Sequence, residues 1–201
     1  MAKLILATFA VVFLALAATS LAGDPDMLQD RLENVTANDF FFDGLTNAGN
    51  TTNAVGSLVT AASVERLPGL NTMGVSMARI DYAPWGLSPP HTHPRATEIM
   101  FVAEGTLDVG FVTTANKLFT RTVSKGEVFV FPRGLVHFQR NSGNTSALAI
   151  AAFNSQLPGT QSIADTLFGA APPLPSDTLA RAFQVDGRMV ESIKSKFPPK
   201  Y

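Results

Sequence analysis

Two histidines one residue apart, His91 and His93, stand in the stretch PPHTHPRATEIMFVAEG, and a carboxylate, Glu98, follows five residues after the second. The last of the chain's three histidines, His137, lies downstream in FPRGLVHFQRN. Neutral imidazoles and one carboxylate suit a divalent first-row metal, with positions left for water or substrate. Ligand type alone does not separate manganese, iron, nickel, copper and zinc. A lone His-x-His is more often a surface or packing feature. The joint pattern is stronger, because every histidine falls in one of two segments rich in proline and glycine.

Strands are the elements that can position these donors. On a strand His91 and His93, at i and i+2, point to one face. Glu98 lies an odd step beyond and would turn to the other face. Pro94 cannot donate to a ladder and commonly marks a bulge or edge, so an irregularity there is expected to return Glu98 to the histidine side. Leu135, His137 and Gln139 share a face of a neighbouring strand, entered through the turn at Arg133-Gly134.

Short β-like runs recur from about Thr72: TMGVSMARIDY, ATEIMFVA, TLDVGFVT, KLFTRTV, EVFVF, LVHFQR and SALAIAAF, with SLVTAASVERL before them. Their spacing, broken by turn residues such as Gly105, SKG, PRG and NSGN, is the rhythm of a closed or double-sheet all-β architecture of jelly-roll type. In LFTRTV, Leu118, Thr120 and Thr122 face one way, Phe119, Arg121 and Val123 the other. After Phe153 the texture becomes helical: SIADTLFG stops at Gly169, and Ser176 offers an N-cap for DTLARAF. Met189, Val190, Ile193 and Phe197 then form an apolar stripe, which with Leu179 and Phe183 needs a cover.

At 201 residues, 46% of them hydrophobic and 15% charged, the chain suits one well-buried domain. Fifteen basic against sixteen acidic residues, with no basic run, give no nucleic-acid footprint. Lys3, the apolar run from Leu4 to Ala18 and the small residues of TSLA read as a secretory leader over 1–22. The run is short for a membrane anchor. On that route the sequons at Asn34, Asn50 and Asn144 become glycosylation candidates. The chain has no cysteine, so an exported protein must here rely on core, metal or oligomeric contacts. The organisation expected is a leader over 1–22, an extension over 23–56, the barrel with its metal site over 57–155 and a helical, oligomerising segment over 156–201.

Gly86-x4-His91-x-His93-x4-Glu98-x6-Gly105 resembles the first cupin motif, with Trp85 where a glycine is usual. Gly126-x5-Pro132-x-Gly134-x2-His137-x3-Asn141 matches the second. DPDMLQD, AGNTT, LNTMGVSMARIDYAPWG, PPHTHPRATE, FNSQLPG and SKF are similar to germins and germin-like proteins. The resemblance implies a single cupin jelly-roll barrel with short C-terminal helices. It also implies manganese on His91, His93, Glu98 and His137, secretion to the plant apoplast, and a hexamer built as a trimer of dimers. Three departures stand out. The usual N-terminal cysteine pair is missing. Ala78 and Ser88 occupy positions where oxalate oxidases of the family place asparagine amides near the metal. Trp85, lastly, is expected either to narrow the metal loop's entrance or to pack as a core aromatic. The function implied is a defence-related manganese protein that dismutes superoxide and lacks oxalate oxidase activity. The alternative is a non-catalytic cell-wall or ligand-binding cupin with a structural metal.

Overall fold

The computed structural model describes residues 35–198. Residues 1–22, read as a leader, and the Asn34 sequon lie outside the described residues. Among the described residues ten strands form two five-stranded sheets. In chain order they are β1 (Ser57–Ala62), β2 (Ser76–Tyr82), β3 (Leu87–Thr92), β4 (Glu98–Glu104), β5 (Thr106–Val112), β6 (Leu118–Ser124), β7 (Val128–Phe131), β8 (His137–Arg140), β9 (Ala147–Phe153) and β10 (Gln161–Ser162). One sheet runs β1-β2-β9-β4-β7 and the other β10-β3-β8-β5-β6, with every pairing antiparallel. This is the cupin jelly roll.

Strict alternation closes the barrel. On β9, Ala147, Ala149, Ala151 and Phe153 are buried, and their neighbours in sequence are half-exposed. Ile80, Tyr82, Met100, Val102 and Phe131 from the same sheet, with Leu107 and Val109 from β5 of the facing sheet, complete one core. Each large apolar side chain buried there contributes roughly 1.5–3 kcal/mol, and no disulfide assists it. The β4–β5 connection turns on Gly105, whose φ of +77° and close approach to the Ala147 side chain leave no room for a Cβ.

The described part of the extension is pinned to β2. Arg79 and Asp81 pair at 2.8 Å, Gly49 N–H donates to Asp81, and Arg79 donates to the carbonyl of Leu45.

Past Phe153 the chain still serves the barrel, because β10 pairs with His91 and Thr92 of β3. Three helices follow: α1 (Ile163–Phe168), α2 (Ser176–Phe183) and α3 (Gly187–Lys194). Ser162 caps α1 and Asp186 caps α3 through bonds to the N–H groups of Asp165 and Met189. Ser176, read as a cap, is instead the first residue of α2, with Pro175 before it. Its hydroxyl bonds Glu191 and accepts from Lys194, tying α2 to α3. Leu179 and Val190 are buried in that hairpin, whereas Phe183 and Met189 stay about half exposed.

Candidate metal centre

His91 is the penultimate residue of β3 and His93 follows the strand, Glu98 begins β4, and His137 begins β8. The expectation of a bulge at Pro94 that returns Glu98 to the histidine face is corrected here. Residues 93–97 form a turn that carries the chain from one sheet to the other. Glu98 therefore meets the histidines from across the barrel. The bulge in this region falls earlier, between Ser88 and His91, where Pro89 and Pro90 interrupt pairing and His91 comes to lie opposite His137.

All four residues are buried, and one ligand atom from each lies within 4.8 Å of every other. Glu98 Oε2 is 3.0 Å from His93 Nε2 and 3.2 Å from His137 Nε2. Donors at right angles on bonds of roughly 2.2 Å stand about 3.1 Å apart, so these are coordination-sphere spacings. Proton placement agrees. His91 Nδ1 lies 2.7 Å from the Pro89 carbonyl and His137 Nδ1 lies 2.8 Å from that of Leu135. A carbonyl oxygen only accepts, so both Nδ1 atoms carry hydrogen, and in the neutral rings the Nε2 lone pairs face inward. A His137 lone pair against a carboxylate oxygen is repulsive unless a cation lies between them. The donor set fits a divalent metal.

Burial, reinforced by neighbouring His137, lowers the pKa of His91 to about 4, which keeps the ring neutral. In the metal-free site burial opposes ionisation of Glu98, but hydrogen bonds from the His137 and His93 rings, made when Nε2 carries the proton, outweigh it and hold the carboxyl at about 2. Both are thus in their metal-binding forms at neutral pH.

Supporting contacts surround the four. Gln139 Nε2 donates to Glu98 Oε1 at 3.3 Å, and the Thr160 hydroxyl lies 3.3 Å from His93 Nδ1. Phe131 stacks on His137 at 4.6 Å, and the Phe153 ring meets His93 edge-on at 4.8 Å. Gln139 was legible in principle, since it sits two residues past His137 on the same strand face. Thr160 carried no such signal.

Ala78 and Ser88 are both buried, Ala78 within the core of β2 and Ser88 opposite Gln139. Trp85 neither packs in the core nor narrows the metal loop. It lies in the β2–β3 turn, at the far end of β3 from His91, with a 69% exposed side chain. Its backbone takes φ +65° and bonds the Gly143 carbonyl, a strained conformation for a bulky residue. Asn50 and Asn144 are exposed.

The cupin family model matches residues 43–191. "Putative germin-like protein 3-2" of Oryza sativa subsp. japonica is 90% identical, with all of both chains covered. The chain belongs to the germin-like proteins. That alignment spans 222 positions against a chain of 201, leaving 21 without a counterpart here. The cysteine pair usual in germin-like proteins is absent. The "Rhicadhesin receptor" of Pisum sativum is 64% identical over 83% of this chain and 77% of its own. Among solved structures, a "Recombinant oxalate oxidase in complex with glycolate" is similar at TM-score 0.80 and 45% identity, covering 87% of this chain and 91% of its own.

Proposed function

We propose that this germin-like protein is a secreted manganese protein whose centre dismutes superoxide and does not turn over oxalate. The observation that carries the reading is the convergence of three imidazoles and one carboxylate on a single point, with the tautomers of His91 and His137 fixed by main-chain carbonyls. Bound manganese, cycling between +2 and +3, supplies the one-electron exchange by which two superoxide ions and two protons become dioxygen and hydrogen peroxide. His91, His93, Glu98 and His137 hold it, while Gln139 orients the carboxylate. A small diatomic anion asks little more of the protein than an open position and protons.

Oxalate asks for more. As a dianion it must leave water and have its outer oxygens held by donors. Ala78 has no donor, and Ser88 offers a single short hydroxyl. Each missing bond costs about 1–3 kcal/mol. This reading rests on the resemblance that places asparagines at those two positions in the oxidases.

The organisation proposed is a leader over 1–22, an extension over 23–56, a barrel over 57–155 and an oligomerising segment over 156–201. Export to the apoplast and glycans on the sequons, Asn50 and Asn144 among them, belong to the same proposal. So does a hexamer built as a trimer of dimers. Its support is apolar surface that a lone chain leaves uncovered. Phe183 and Met189 on the helices are exposed, as are Met77, Ile99, Phe101, Val128 and Val130 on the β1-to-β7 sheet. The 64% identity to a protein named as a receptor favours a second reading, a cell-wall binding protein with a structural metal. Metal analysis of purified protein with assays on superoxide and oxalate separates the two: a loaded but inactive protein supports the second.

A further inference from the structure

Trp85 is the chain's one tryptophan, and its side chain is 69% exposed. Its φ of +65° lies in the left-handed region, which penalises a bulky side chain. Glycine takes that backbone freely, yet the position holds a tryptophan. Nothing inside the fold offsets the strain, because among the described residues the indole makes no hydrogen bond and no ring contact. A strained residue kept at a surface points to a partner outside the packed core.

The turn that carries Trp85 is stitched to the turn between β8 and β9. Trp85 N–H donates to the Gly143 carbonyl at 3.3 Å, and Asn141 N–H donates to that of Gly86 at 2.8 Å. The buried Asn141 side chain closes the join, its Nδ2 donating to the carbonyls of Ala83 at 2.9 Å and Thr145 at 2.7 Å. Asn144 stands between Gly143 and Thr145, the two residues so bonded, and is itself exposed. It opens the sequon Asn144-Thr145-Ser146. The tryptophan and the sequon asparagine are thus neighbours on one bonded double turn, at the barrel end away from the metal ligands.

We infer that, given the export and glycosylation already proposed, Trp85 is the platform for the first sugar of a glycan on Asn144. The apolar C–H face of an N-acetylglucosamine ring lies on the indole. An indole is a broad apolar plate, and a pyranose ring presents a face of C–H groups that suits it. A tethered sugar needs little affinity of its own, since attachment to the adjoining turn sets a high effective concentration. Covering the indole removes exposed aromatic surface from water and so offsets the backbone strain.

The test uses full-length protein secreted by plant cells, unmodified and as Ser146→Ala, which removes the sequon and keeps Asn144. Mass spectrometry reads occupancy at Asn144, and the single tryptophan makes fluorescence a direct report on Trp85. In the unmodified protein Asn144 should be occupied and the emission shielded from acrylamide. Ser146→Ala should shift emission to longer wavelength and raise quenching, whereas Asn50→Gln, which removes a different sequon, should change neither. Losing the Asn144 glycan should lower the melting temperature of the unmodified protein by about 2–4 °C more than that of Trp85→Gly, the shift one aromatic contact gives in a chain of this size. Enzymatic removal of the glycan from folded protein repeats the comparison should Ser146→Ala fail to fold. An occupied Asn144 with equal quenching in the presence and absence of its glycan would overturn the platform and leave glycosylation standing. An unoccupied Asn144 would overturn both the platform and the modification at that site.

Discussion

At the scale of single residues, the ligand set was legible because histidine is so scarce in this chain. What sequence could not supply was the path by which Glu98 reaches the histidines. A change of sheet between His93 and Glu98 produces the same convergence as a bulge, and only tertiary pairing tells them apart. Two predictions belong here. Gln139→Leu removes the bond to Glu98 Oε1 and should weaken metal binding by about 10–100-fold, the usual effect of losing an outer partner. Competition titration against a chelator measures it, and unchanged affinity would show that Gln139 does not orient the carboxylate. The second concerns acid. An unfolded histidine titrates near 6.5, whereas His91 in the fold stays neutral down to about 4. Between those values the unfolded chain binds a proton that the folded one does not, so stability falls as pH falls. Glu98, lowered from 4.5 to about 2, extends the fall into more acidic solution. Urea midpoints of metal-free protein should therefore drop steadily below pH 6.5, and a rise on acidification would contradict the assignment.

At the scale of elements, eight strands were legible as alternating runs. β3 was harder, since LSPPHT contains two prolines and lacks alternation; it is a strand because β8 and β10 pair with it on either side. β10 has two residues and no pattern at all, and its position follows from the barrel it closes against. Trp85 was misplaced because the motif ties it to the metal loop in sequence, while the length of β3 separates them in space. Core and helices can be tested separately. Leu107, fully buried on β5, should cost about 2–5 kcal/mol when changed to alanine. Denaturant unfolding checks this, and a loss under 1 kcal/mol would mean that the barrel wall is not tightly packed. Deleting the chain from Ser176 onward removes the α2–α3 hairpin and should give smaller species by light scattering. An unchanged mass would mean that the hairpin packs only on its own barrel.

At the scale of the whole molecule, one jelly roll presents three separate surfaces. Four ligands meet inside it, and an apolar sheet face and a helical hairpin lie on its outside. The sequence carried the first in full and the helical hairpin in part. It was silent on the sheet face, whose side chains become neighbours only across strands distant in the chain. Chemistry at the centre is the most exposed part of this reading, and one measurement bears on it most directly. Manganese-loaded protein is assayed on superoxide and on oxalate, alone and as the double variant Ala78→Asn with Ser88→Asn. The reading predicts dismutation by the unmodified protein, no oxalate turnover by it, and a gain of oxalate turnover in the variant. Strong oxalate oxidation by the unmodified protein, or no dismutation when it is fully loaded, would contradict it.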